Sequence, residues 1–196
     1  ADIQSVKAYN TNDGSESWNY KNTFRVSPMG ANTSVSTYDK NLILTSWLDG
    51  HIKIMRPENG EILEILEYLN VPVSATKFND QIAIAMHGDQ SIILHNFKTG
   101  TNSTLADGFI APTHVVNYAD KLLVSDRGAG ALISIDAEGN KEILIKGLDS
   151  PEGIAIKDDS IYVFEGNTGE IKKIKDNIIS TIANVNPGSN VQSEFQ

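Results

Sequence analysis

A histidine and a glutamate are the residues of this chain best placed to do chemistry. His114 and Glu152 sit in matching segments, Pro112-Thr113-His114 and Pro151-Glu152-Gly153. Imidazole titrates near neutral pH, and a carboxylate beside it orients the ring, so such a pair suits general acid–base work. Glu152 is also the one acid in these segments able to ligate a hard cation through oxygen. Hydroxyls occupy the equivalent positions elsewhere, at Ser34, Ser74, Thr113 and Ser189. Several other chemistries are ruled out. The 196 residues include no cysteine, which removes disulfides, thiolate metal sites and a cysteine nucleophile. Neither H-E-x-x-H nor G-x-S-x-G occurs, so the motifs of zincins and α/β-hydrolases are missing. Asn10–Gly14 mimics a calcium loop, but Tyr9 and Thr11 stand where an EF-hand needs acids, and the segment reads as a hairpin turn.

Composition narrows the partners. Net charge is −9, with 25 acidic and 16 scattered basic residues. Phosphate backbones call for clustered positive charge, so no nucleic-acid partner is expected. No apolar run approaches the roughly 18 residues of a membrane helix, and the opening ADIQS has no leader pattern. A membrane partner is likewise not expected. The lack of cysteine leaves the compartment open, with a periplasmic or extracellular setting favoured over the cytoplasm.

The elements that position these residues come from a repeat, the first thing to seek in such a chain. A short apolar strand recurs as Leu42-Ile43-Leu44, Ile82-Ala83-Ile84, Leu122-Leu123-Val124 and Ile161-Tyr162-Val163, at spacings of 40, 40 and 39. About ten residues before each lies the segment carrying the hydroxyls, His114 or Glu152. After each comes an alternating run such as Ile133-Ser134-Ile135, which reads as a half-buried strand. Glycine turns follow at Gly60, Gly100 and Gly139, where a hairpin tip needs positive φ. Glu61–Tyr68 has apolar residues at helical spacing, yet its counterparts in the later units are strand-like, so it is assigned as strand. Each unit holds four strands in about forty residues and cannot bury both faces alone. Radial stacking solves this, and the fold class is an all-β propeller of four-stranded blades.

The single domain, residues 1–196, divides into units at about 1–31, 32–71, 72–111, 112–150 and 151–186, with a closing segment 187–196. The apolar strand is read as the innermost of each unit. Val6 and Ala8 match Ile52 and Ile54, so the first unit lacks its inner strand, and it carries a six-residue insertion within 15–28. Two readings stay open. Residues 190–196 supply the missing strand and close a five-bladed ring, which removes unpaired edges; or the chain is part of a six-bladed ring, open and able to self-associate.

The segments Ser150–Ile156 and Asp159–Ile174, with the form P-x-G-I-A followed by Y-V and a polar turn, resemble NHL-type repeats. They are similar to those of the gluconolactonase, strictosidine synthase-like and virginiamycin B lyase propellers. The resemblance covers residues 30–189 as a repeat pattern and is close over 150–174. It implies a central channel whose mouth is ringed by Ser34, Ser74, Thr113, His114, Glu152 and Ser189. In gluconolactonase-like enzymes a divalent cation sits in that channel, held by acids and amides from several blades. Here the matching positions are Thr33, Val73, Thr113, Glu152 and Gly188, leaving Glu152 as the sole such ligand for Ca or Mg, a poor cage that makes no cation the expected state. The virginiamycin B lyase-like comparison implies His114 as base with Glu152 beside it.

Ser46-Trp47, Met86-His87, Asp126-Arg127 and Glu165-Gly166 are assigned to the opposite end of the inner strand, where they vary as a binding rim or a surface turn would. Asp126 and Arg127 read there as local ion-pair formers. Trp47 and Trp18 either stack on a ligand at a ring opening or cover a blade edge. The expected function is therefore a non-enzymatic scaffold that binds a small molecule or peptide at the channel mouth. The alternatives are a metal-assisted lactonase-type hydrolase or virginiamycin B lyase-like enzyme with His114 and Glu152 as catalytic residues, and a structural or assembly protein.

Overall fold

The structure, a computed structural model, describes residues 5–21, 32–176 and 178–185. Every element among them is a β-strand or a turn. A hairpin of β1 (Ser5–Tyr9) and β2 (Glu16–Lys21) comes first. The first four-stranded sheet follows: β3 (Asn32–Tyr38), β4 (Asn41–Ser46), β5 (His51–Met55) and β6 (Ile62–Leu66). The second is β7 (Pro72–Phe78), β8 (Gln81–Met86), β9 (Ser91–Asn96) and β10 (Thr101–Ala106). The third is β11 (Pro112–Tyr118), β12 (Lys121–Asp126), β13 (Ala131–Ile135) and β14 (Lys141–Lys146). The fourth is β15 (Pro151–Lys157), β16 (Ser160–Glu165), β17 (Glu170–Lys175) and β18 (Ile178–Asn184). Each sheet is an antiparallel meander in chain order, and the four form blades in a propeller arrangement. Glu61–Tyr68 contains the strand β6, as its counterparts indicated. The closing segment 187–196, with Gly188 and Ser189, lies outside the described residues, as do residues 22–28 of the stretch assigned the insertion.

Blade contacts run between first strands: β3 meets β7, β7 meets β11, and β11 meets β15. The innermost strand is therefore the one that begins with the hydroxyl-bearing segment, and the apolar strand is second. This corrects the sequence assignment by one strand. Consequently β1 and β2 correspond to the third and fourth strands of a blade.

The apolar character of the second strand follows from its place. Its successive side chains point to opposite faces of the sheet, and each face is covered by a different neighbour. Ile43 joins the core shared with the second blade, through Ala75, Ile82 and Ile84. Leu44 turns the other way and packs with Val6 and Met55 under the hairpin. Likewise Leu122 and Val124 face the second blade while Leu123 faces the fourth. A strand buried on both sides reads as a continuous apolar run rather than an alternation.

The hairpin is held from its outer strand. Trp18 donates its indole Nε1–H to the Pro57 carbonyl at 2.6 Å. Its ring lies over Gly60, where an added Cβ would come within 2.9 Å of Trp18 Cε3. Of the two roles open to Trp18, the structure shows the packing one, on a neighbouring blade's turn.

The glycine tips expected from sequence do take positive φ, at 73° for Gly60, 68° for Gly100 and 88° for Gly139. Their surroundings differ. A Cβ at Gly100 would meet nothing within 4 Å, whereas at Gly139 it would fall 2.1 Å from the Leu105 carbonyl oxygen of the preceding blade. Gly100→Ala should cost about 1 kcal/mol of backbone strain, and Gly139→Ala should cost at least about twice that because two blades must separate. Urea unfolding of the two variants checks the ranking.

Candidate functional site

The innermost strands carry the hydroxyls and His114, and most of these groups reach across to the next blade. Ser36 donates its hydroxyl to the Ala75 carbonyl. Val115 N–H donates to Ser74 Oγ at 3.3 Å, and the same hydroxyl faces the Val115 carbonyl at 3.4 Å. Thr113 Oγ1 donates to the Pro151 carbonyl at 3.0 Å. Ile154 N–H donates to His114 Nδ1 at 3.1 Å, and Asn117 Nδ2 donates back to the Lys77 carbonyl at 3.0 Å. Ser34 differs, since its hydroxyl donates to Thr45 Oγ1 of its own blade at 3.4 Å. An inner edge strand leaves every second backbone group without a ladder partner. Ser36, Ser74, Thr113 and His114 satisfy such groups on the following blade, and Asn117 does so on the preceding one.

The bond to Ile154 fixes the chemistry of His114. Its Nδ1 lone pair is engaged, so the neutral ring carries its proton on Nε2 and offers only a donor there. Burial disfavours the imidazolium and pushes the pKa from 6.5 down to about 4. Glu152 is not its partner. The carboxylate Oε1 lies 3.9 Å from Arg127 Nη1, with both side chains about half exposed, a pair worth about 0–1 kcal/mol. Gly166 makes room for it: a Cβ there would stand 2.5 Å from Glu152 Oε1. Among the described residues no three of His, Asp and Glu converge on one point. The described residues do not fit the channel cation that the resemblance implies.

The two residue sets expected at opposite ends of the strand share one end. In the antiparallel register Pro112 faces Asp126, His114 faces Ser125, and Pro151 faces Glu165. Asp126 is not a surface ion-pair partner. It is buried, and its carboxylate accepts the backbone N–H groups of Ile110 and Ala111 at 2.8 Å each and of Ala129 at 3.2 Å. Glu165, also buried, accepts from Asp149 N–H at 2.9 Å and from the Thr168 hydroxyl at 3.2 Å. Both acids fasten the linker that leads into their own blade. That fit depends on N–H groups converging in space, which no spacing in the sequence displays.

Between these linkers and turns lies a depression of about 680 Å³, lined by His87, Arg127, Gly128, Asp149 and Asn167 among others. None of the five described residues expected at the channel mouth lines it, although Glu152 approaches Arg127 from its side. His87 has the opposite tautomer to His114. Its Nδ1 stands 3.2 Å from the Pro112 carbonyl, an acceptor, so Nδ1 holds a proton, and in the neutral ring Nε2 carries the lone pair. The depression thus combines a guanidinium, a basic imidazole nitrogen and an Asn167–Asp149 hydrogen bond of 2.8 Å.

This architecture defines a β-propeller with a polar rim. No family model and no curated protein matches the chain. Among solved structures it is similar to a streptogramin B lyase, at a TM-score of 0.73 and 15% identity over 95% of this chain and 64% of that one. It is also similar to a catalytically inactive histidine-to-alanine variant of virginiamycin B lyase from Staphylococcus aureus with quinupristin, at 0.71 and 15% over 91% and 62%. A protein of unknown function from Bacteroides caccae matches at 0.68 and 15% over 94% and 69%. The fold is a virginiamycin B lyase-like β-propeller, and the chain spans less than two thirds of those lyase structures.

The burial of His114 gives a pH signature. The folded pKa is depressed below the unfolded value, so this group's contribution is full above about pH 6.5 and is lost as pH falls toward about 4. That loss amounts to roughly 3 kcal/mol. His114→Gln keeps an acceptor for Ile154 N–H without a titrating ring. Urea unfolding from pH 7 to pH 4 should show a shallower decline for His114→Gln than for the parent chain.

Proposed function

We propose that this propeller binds a small molecule or short peptide on its rim, in the depression bounded by His87, Arg127, Asp149 and Asn167, and holds it without turning it over. The observation that carries the reading is Arg127. Its guanidinium is about half exposed, meets among the described residues only the distant carboxylate of Glu152, and stands in the same depression as His87. A loosely held guanidinium can exchange its partner for a ligand carbonyl or carboxylate with little reorganisation, through charge-assisted bonds. Ser74, Thr113 and His114 support the reading from the other side, since their hydrogen bonds join blades and fix the rim loops in place.

Lyase-type turnover is the second reading, and one observation favours it. The free lone pair on His87 Nε2 suits a general base, whereas the corresponding lone pair of His114 already accepts Ile154 N–H. In this reading His87 takes the proton and Arg127 steadies the substrate.

Quinupristin, named with the lyase relative, is the probe that separates them. Calorimetric titration should show saturable binding that weakens about tenfold or more in Arg127→Ala, as expected for loss of a charge-assisted bond. Chromatography with fragmentation mass spectrometry should find the recovered compound unchanged, a test that also detects a ring-opened isomer of equal mass. A chemically altered product that disappears in His87→Ala would install the second reading instead. Neither binding nor product would overturn both.

A further inference from the structure

Each of the first three blades builds the same rim feature from a four-residue turn and a four-residue linker. The turn is 47–50, 87–90 or 127–130, and the linker is 68–71, 108–111 or 147–150. One backbone bond recurs across it. Leu69 N–H donates to the Gly50 carbonyl, Phe109 N–H to Gln90 and Leu148 N–H to Gly130, at 2.9, 3.1 and 3.0 Å. The first linker position takes positive φ throughout, at 63°, 70° and 81°. Two blades put glycine there, Gly108 and Gly147; the first puts Tyr68. An L side chain at that φ strains the backbone, and folding gains little in return because Tyr68 is 93% exposed. Val71, a β-branched residue, also sits at φ 55° in the same linker.

The substitutions around Tyr68 run in the same direction. Trp47 stands where the later blades have His87 and Arg127, and Leu48 where they have Gly88 and Gly128; both are more than a third exposed. Together with Asp49 and Glu67 they line a depression of about 390 Å³ that has no lysine or arginine in its wall, within the size range of small-molecule sites. Asp49 Oδ2 receives the Ser46 hydroxyl at 3.2 Å, while Asp49 Oδ1 is buried with no hydrogen-bond partner. A carboxylate oxygen buried in this state is stabilised by a positive charge brought near it.

We propose that this groove is a binding site for an organic ammonium ion, with Trp47 and Tyr68 presenting ring faces to its alkyl groups and Asp49 supplying the counter-charge. Aromatic faces and a carboxylate attract such cations together; the groove's own wall holds His51 but no lysine or arginine, and Lys53, in the adjoining depression that shares Asp49, His51 and Glu67, donates to the Tyr20 hydroxyl. The site is separate from the His87–Arg127 depression and stands or falls independently of it.

Choline is the probe, followed through the two tryptophan indole N–H signals. Trp47 should shift saturably, and Trp18, bonded to Pro57, should stay still. The uncharged isostere 3,3-dimethylbutan-1-ol should bind at least about tenfold more weakly, as should choline to Asp49→Asn and Tyr68→Gly. Tyr68→Gly should melt no lower than the parent chain, since glycine relieves the strained φ. An unmoved Trp47 signal, equal binding of the uncharged isostere, or unchanged affinity in Tyr68→Gly would each overturn the proposal.

Discussion

The inner edge strand governs this structure. In a radial stack the first strand of each blade has a ladder partner on one side only, so its other backbone groups must be satisfied by the adjacent blade or by water. Here Ser36, Ser74, Thr113 and His114 place a hydroxyl or ring nitrogen against Ala75, Val115, Pro151 and Ile154. Apolar packing between sheets supplies most of the driving force for folding, but it is non-directional. The hydrogen bonds fix how one blade sits on the next, and so where the rim loops stand.

With the blades registered, the rim is free to vary. Turn and linker are joined by the same backbone bond in each of the first three blades, and the third and fourth anchor the linker with a buried acid, Asp126 or Glu165. What changes is the side chains that face solvent: Trp47 and Tyr68 in the first blade, His87 in the second, Arg127 in the third. A rigid frame with variable loops suits recognition, because binding then orders little that was not already ordered.

Much of the fold was legible because the repeat is written in hydrophobicity. The apolar strands, their forty-residue spacing and the glycine tips all follow from burial and positive φ, and Ile62–Leu66 was recoverable as strand by comparison with its counterparts. The order of strands was not. Leu42–Leu44 looks innermost because it is the most apolar, yet it is apolar because both its faces are covered, while the true inner strand meets the first strands of the adjacent blades and carries serine and threonine. Misplacing that strand also moved Asp126 and Arg127 to the wrong end. Among the candidate site residues, His114 and Glu152 were singled out by type, but the backbone amide that holds one and the guanidinium that meets the other are visible only in three dimensions. Trp47 was noted from the sequence; the meaning of Tyr68 needed its φ.

Inter-blade hydrogen bonds made by side chains of the inner strand register the blades, and amide exchange reads them directly. Native-state hydrogen exchange followed by NMR should find the Val115 and Ile154 amides protected to near the global unfolding free energy, and Ser74→Ala should release Val115 while leaving Ile154 slow. If both amides exchange as fast as loop residues in the parent chain, the blades are not held together in this way and the assignment of Ser74 and His114 to the framework fails.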